Sequence, residues 1–151
     1  MSDKVYLEDL AIGQTFIHGT AELTAGDIKA FARQFDPQPF HLDEAAAEAS
    51  LFGRLAASGW HTAALTMRLL VTGGPAFGWG CIGAGGEVSW PRPAYVGDVL
   101  TLHGEILEIT PSRSKPDRGI ARVRLVMKNQ RDEVVQDMVA RVLVPRRPLG
   151  G

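Results

Sequence analysis

Apolar residues follow two different rhythms along the chain. In the first half they recur at helical spacing. Ile28, Phe31, Ala32 and Phe35 stand at i, i+3, i+4 and i+7, one stripe along a helix. Thr24 precedes the stripe as an N-cap, with Asp27 three residues on in the capping-box position. Leu42 to Ser50 is rich in Ala and Glu and predicts a short helix. From Gly59 to Val71 apolar residues fall on every face, which predicts a helix buried in a core, stopped by Gly73-Gly74-Pro75.

The second half changes period. Val99 to Ile109, Ile120 to Lys128 and Val134 to Val144 are long, β-branched and partly alternating, as in Arg122, Arg124 and Val126 against Val123, Leu125 and Met127. Asn129-Gln130-Arg131-Asp132 separates the last two runs as a hairpin turn. Thr110 to Gly119, polar with two prolines, predicts an exposed turn. Trp79 to Trp90 is glycine-rich among strand-like residues and predicts an irregular or bulged strand. Helices first and antiparallel strands afterwards give an α+β class, with a sheet packed on one long buried helix.

Length and composition narrow the function. The 151 residues correspond to one domain, 1–151, with the segment Arg146 to Gly151 as a fraying tail. Sixteen basic and seventeen acidic side chains leave a formal charge of −1, which argues against broad nucleic-acid binding and against attraction to an anionic membrane. No apolar run nears the roughly 20 residues of a membrane span, and the N-terminus lacks the apolar core of a signal peptide. Cys81 stands alone, so no internal disulfide or multi-cysteine metal cluster forms, and no His, Asp and Glu spacing suggests a metal site. The expectation is a soluble cytoplasmic protein.

The chemistry concentrates in Phe35-Asp36-Pro37-Gln38-Pro39-Phe40-His41-Leu42-Asp43. Two prolines make a stiff, extended loop that holds side chains in fixed directions. Asp36 and His41 are five apart, a spacing suited to a loop that doubles back. A carboxylate beside an imidazole can move a proton or activate a water. The plainer reading is also open: Asp36 closing a turn, and His41 or Asp43 capping the next helix.

D-P-Q-P-F-H-L-D resembles the D-x-N-P-x-H motif of the MaoC-like dehydratases, the (R)-specific enoyl-CoA hydratases of the hotdog superfamily. Further motifs follow in the family's order from Leu7 to Pro145. They are the E-D-x-x-x-G turn at Glu8 to Gly13, the small-residue approach Leu55-Ala56-Ala57-Ser58-Gly59, the connection Trp90-Pro91-Arg92-Pro93 to Gly97-Asp98, and Asn129-Gln130 with Val134-Val135. Three positions depart from the pattern: Gln38 for asparagine, Ser58 where many members have histidine, and Ser89 where many have arginine.

The resemblance implies a hotdog fold, a curved antiparallel sheet around a long central helix, and a homodimer or higher homo-oligomer. It implies reversible addition of water to a trans-2-enoyl thioester, carried on coenzyme A or acyl-carrier protein, giving a 3-hydroxyacyl thioester. No separate cofactor is implied, because coenzyme A belongs to the substrate. Asp36 would take a proton from the water, and His41 would orient it and help protonate the α-carbon. Gly59, at the start of the buried helix, would offer a backbone N–H to the thioester oxygen, with Ser58 as partner or simply as N-cap. Arg92 is the candidate contact for coenzyme A.

Other residues carry less. His61 on the buried helix reads as a satisfied core histidine, and His18 and His103 sit in strand-like segments with no role assigned. Trp60, Phe77, Trp79 and Trp90 fit an acyl tunnel, a core or a dimer contact. Gly83 to Gly86 lacks the Lys-Ser/Thr of a phosphate loop. The competing functions are a hotdog acyl-CoA thioesterase and a non-catalytic acyl-thioester binder.

Overall fold

Three long strands in the C-terminal half frame the molecule, described by a computed structural model for residues 3–149. They are β3 (Val99–Pro111), β4 (Arg118–Lys128) and β5 (Val134–Pro145), paired antiparallel in chain order. Alternation decides their faces. In β4, Ala121, Val123, Leu125 and Met127 are buried, while Arg122 and Arg124 reach out to Glu108 and Asp137. The turn between β4 and β5 lies where Asn129 predicts it: Asn129 Oδ1 accepts from the N–H groups of Arg131 and Glu133.

β1 (Thr15–Glu22) adds beside β3, and β2 (Ile82–Ser89) adds beside β5. The result is a five-stranded antiparallel sheet in the order β1-β3-β4-β5-β2. β2 carries the expected irregularity, a register shift between Gly83 and Gly85. β1 corrects the expectation of helices first. Its residues are mostly exposed and its pairing shifts at Gly19, so no alternation marks it in the sequence.

Four helices lie between β1 and β2. α1 (Ala25–Phe35) starts at Thr24, whose hydroxyl accepts from Asp27 N–H. Ile28 and Ala32 of its stripe are buried, but Phe35 is exposed. α2 (Pro39–Leu42) is a single helical turn where an extended loop was expected, and α3 (Glu44–Glu48) is shorter than the predicted 42–50 helix. Asp43 separates them because its carboxylate caps α3 by accepting from Ala46 N–H.

α4 (Gly59–Gly73) lies against β1, β3, β4 and β5, burying Leu65, Leu69 and Leu70. It is not buried all round. Trp60, Ala64, Met67 and Val71 form an exposed apolar stripe at i, i+4, i+7 and i+11. The chain reaches α4 through a small-residue segment tied to the connection before β3: Ala57 N–H bonds Ala94 O, and Val96 N–H bonds Leu55 O. Asp98, buried, accepts from Tyr95 N–H and from the Gln130 amide, so two distant sequence motifs meet.

Two residues of the segment expected to fray are tied down. Arg146 N–H bonds Asp117 O, and Arg147 pairs with Asp9, while Gly150 and Gly151 lie outside the described residues. Among the described residues no helix is long and apolar enough to cross a membrane.

Candidate active site

The end of α1 builds the site. Asp36 N–H still bonds Ala32 O, but Pro37 cannot continue the ladder. The chain folds back through Gln38 N–H on Asp36 O, and Pro39 opens α2 at its first helical position. One turn later His41 Nε2 stands 3.3 Å from Asp36 Oδ2, with the imidazole buried and the carboxylate largely covered. The doubled-back geometry predicted from the spacing is present, made by a helical turn rather than an extended loop.

The other ring nitrogen fixes the tautomer. His41 Nδ1 lies 2.6 Å from Ala56 O, and a carbonyl only accepts, so Nδ1 carries a hydrogen. In the neutral ring, Nε2 therefore presents a lone pair toward Asp36. Two acceptors facing each other require a proton or a two-donor molecule between them. The Phe40 and Phe52 rings pack around the imidazole, at 4.6 and 6.0 Å between centroids.

Burial alone would raise Asp36. The nearby Ser58 hydroxyl, the hydrogen bond from Gln38 and the His41 ring outweigh it, holding the carboxyl below the usual carboxylate value. Gln38 Nε2 donates to Asp36 Oδ1 at 2.5 Å, so this departure from the motif supplies a partner for the carboxylate. Ser58 N-caps α4, its hydroxyl accepting from Trp60 N–H at 3.2 Å. Ser58 O takes the N–H groups of His61 and Thr62. Gly59 N–H has no hydrogen-bond partner among the described residues.

Trp90 lies on Gly59 so closely that a Cβ there would meet its ring at 2.6 Å. A cavity of about 280 Å³ opens beside them, lined by His41, Phe52, Gly59, Thr62, Trp90 and Val135 among others. Arg92 also lines it and pairs with Glu133 at 3.2 Å. A larger hollow of about 720 Å³, lined by Tyr6, Trp79, Arg146 and Arg147, holds neither Asp36 nor His41. It lies past the other end of β2, so size alone would point away from the chemistry.

The family model for the MaoC like domain matches residues 9–129. The chain belongs to the MaoC-like family. Its backbone superposes on the MaoC-like dehydratase from Rhodospirillum rubrum with a TM-score of 0.93 at 58% identity, over 96% of this chain and 99% of that one. It is 34% identical to the uncharacterized protein YdeM of Bacillus subtilis, over 93% of this chain and 99% of the relative. It is 33% identical to a 3-hydroxybutyryl-CoA dehydratase of Methylorubrum extorquens, over 95% of this chain and 86% of the relative. The expected hotdog architecture, α+β, is thus the one found.

The MaoC-like site gathers some predicted residues and leaves others out. Asp36, His41, Ser58, Gly59, Trp90 and Arg92 come together. His61 is buried but not satisfied, correcting the expectation: Nδ1 has no partner among the described residues, and the ring stacks on Phe31 at 4.9 Å. Burial pushes its imidazole down, Asp27 opposing and Arg68 adding to the effect. His18 and His103 lie on β1 and β3 away from the dyad, Phe77 is core, and Trp60 and Trp79 are exposed. Among the described residues no cluster of His, Cys, Asp and Glu could hold a metal ion. Sequence reasoning missed the Ala56 carbonyl, which no side-chain motif announces. It also missed Gln136, a fully buried amide that reads as an ordinary polar residue in a strand.

Proposed function

We propose that this MaoC-like domain adds water reversibly across the double bond of a trans-2-enoyl thioester, giving a 3-hydroxyacyl thioester. The observation that carries the reading is the pair of facing acceptors, Asp36 Oδ2 and His41 Nε2. A water bridging them from one side of the gap donates one hydrogen to each, and its lone pairs then point outward at a bound acyl group. Asp36, kept ionised, takes one proton as the oxygen adds to the β-carbon. His41 Nε2 accepts the water's other hydrogen and so orients it, and the proton taken from the water returns through the Asp36–His41 pair to the α-carbon. One proton leaves the water, one arrives at carbon, and no electrons are gained or lost.

During addition the thioester oxygen gains negative charge. The partnerless Gly59 N–H, at the positive end of α4, is the donor available for it. Arg92, at the cavity, is suited to the phosphates of coenzyme A. Coenzyme A enters as part of the substrate, and the chemistry calls for no further cofactor. The 3-hydroxybutyryl-CoA dehydratase of M. extorquens, similar over nearly the whole chain, supports the substrate class.

The reading extends to a homodimer. β2 is an open sheet edge, and the stripe Trp60, Ala64, Met67 and Val71 leaves apolar surface in water; a second copy of the chain would cover such features.

The test is the absorbance of crotonyl-CoA with the wild-type protein and with Asp36→Asn. Loss of the enoyl band without free thiol, abolished in the variant, is expected. Release of free thiol would replace the hydratase with a thioesterase, and an unchanged band across short, long and branched enoyl-CoAs would leave a binding protein.

A further inference from the structure

The cavity beside His41 ends abruptly. It runs along one face of α4 from Gly59 to Thr62, one turn on. The next residue on that face, Thr66, lies one turn further and is fully enclosed. Between Thr66 and Trp90 stands Gln136, with no exposed surface. Its Oε1 accepts from Trp90 Nε1 at 3.0 Å, and its Nε2 donates to Thr66 Oγ1 at 2.7 Å. Thr66 in turn donates to Thr62 O at 2.8 Å.

This chain of bonds has one direction. The indole N–H only donates, so it must meet the amide oxygen. The amide NH₂ is then left for the Thr66 hydroxyl, which passes its hydrogen to the helix backbone. The Gln136 amide and the Trp90 indole are therefore both held in place, and an unmade bond anywhere would strand a buried polar group. The indole is pressed against Gly59 on one side and meets Trp60 edge-on, at 5.1 Å between centroids. It has no room to swing inward.

We propose that Gln136, pinned between Trp90 and Thr66, is the floor of the acyl pocket and restricts this protein to short acyl chains. The proposal rests on the enoyl-thioester reading of the same site and adds its substrate range. The cavity's volume, about 280 Å³, falls just below the ~300–1,000 Å³ of sites that take drug-sized ligands. Shortening Gln136 would empty the volume its amide fills between Trp90 and Thr66 and lengthen the pocket along α4 by that much.

The test compares trans-2-enoyl-CoA substrates of four and eight carbons with the wild type, Gln136→Ala and Gln136→Leu. Binding of butyryl-CoA and octanoyl-CoA by calorimetry and thermal midpoints accompany the rates. Each methylene accommodated or refused in an apolar pocket changes kcat/KM by roughly 10-fold or more. The wild type is expected to prefer four carbons. Gln136→Ala should raise the eight-to-four ratio at least about tenfold, chiefly through KM. Gln136→Leu is close to glutamine in size but makes none of its bonds; it should lose stability as Ala does, yet keep the short-chain preference.

An unchanged ratio in Gln136→Ala would overturn the proposal. Equal shifts in Ala and Leu would do so too, because a loosened fold and not a lost floor would then be responsible. A wild type that already takes both lengths alike also sinks it. Failure of the reaction itself is separate: the wild type would then bind butyryl-CoA without consuming crotonyl-CoA, and the chain-length comparison would be read from the binding data.

Discussion

His41 faces Asp36 across 3.3 Å with its Nδ1 hydrogen already committed to Ala56 O, so the two groups meet as acceptors. In the proposed reaction neither can do the other's work, since each would hold one hydrogen of the same water. Asp36→Asn and His41→Ala should each lower kcat on crotonyl-CoA by about 10²–10⁴-fold. The double variant should fall little below the worse single one, as groups acting as a unit do. Steady-state rates of the four proteins check this, and fully multiplicative losses would contradict it.

Gly59→Ala is the sharpest steric probe. The added methyl would lie 2.6–2.9 Å from three atoms of the Trp90 ring, which Gln136 prevents from retreating. Overpacking of this kind costs about 1–3 kcal/mol, and displacement of the indole disturbs the N–H meant for the thioester oxygen. A lower thermal midpoint together with at least a tenfold loss of kcat/KM, about 1.4 kcal/mol of lost transition-state stabilisation, is expected. A stable, fully active Gly59→Ala would remove Gly59 from the mechanism.

Asp36 predicts a particular response to acid. Its folded-state carboxyl is held below the usual value, so its stabilising contribution is present above the unfolded-state value near 4. That contribution is lost as pH falls through the lowered folded value. The wild type should therefore lose stability more steeply than Asp36→Asn below about pH 4, and loss of its base function should also wait for that range. Denaturant midpoints measured from pH 7 down to pH 3 test the sign. Parallel curves would show that Asp36 is no better stabilised as an anion in the folded protein than in the unfolded one.

Asp98 joins two segments far apart in sequence, receiving Tyr95 N–H and the Gln130 amide while Gln130 accepts from Val99 N–H. Asp98→Ala removes the buried acceptor of a half-buried Tyr95 N–H and of the Gln130 amide and should cost about 1–3 kcal/mol. Urea unfolding measures it. Because the connection also carries Arg92 and Pro93 at the cavity, KM should rise more than kcat falls.

Light scattering should give about twice the chain mass. Met67→Glu and Val71→Glu, both on the exposed stripe of α4, should shift the protein toward monomer without unfolding it. A wild type that is monomeric at micromolar concentration would overturn the dimer.

The sequence made some of this architecture legible and hid the rest, for physical reasons. β3, β4 and β5 alternate because one face meets the core, and the Thr24 cap and the Asn129 turn use side chains whose hydrogen bonds are local. β1 was legible only as a strand-like segment around His18, because its residues are mostly exposed and Gly19 breaks its register, so no alternation marks its extent. α4 was read as buried on every side because composition counts apolar residues and not what covers them; Met67 and Val71 face outward in a single chain. The Asp36–His41 pair was legible through its prolines, although Pro39 starts a helical turn where rigidity alone suggested extension. Gln136 was invisible, since its partners Trp90 and Thr66 are 46 and 70 residues away.

The bond from His41 to Ala56 O has a mechanical meaning. Ala56 sits three residues before Gly59, in a segment held on its other side by Ala57 N–H on Ala94 O. The imidazole and the α4 N-terminus are thus fastened to the same short piece of backbone. A shift of that piece carries both with it, so in the proposed reaction the gap between the place where a proton would move and the place where charge would collect stays constant. An acyl group would need to find one rigid gauge, not two independently wandering halves of a site.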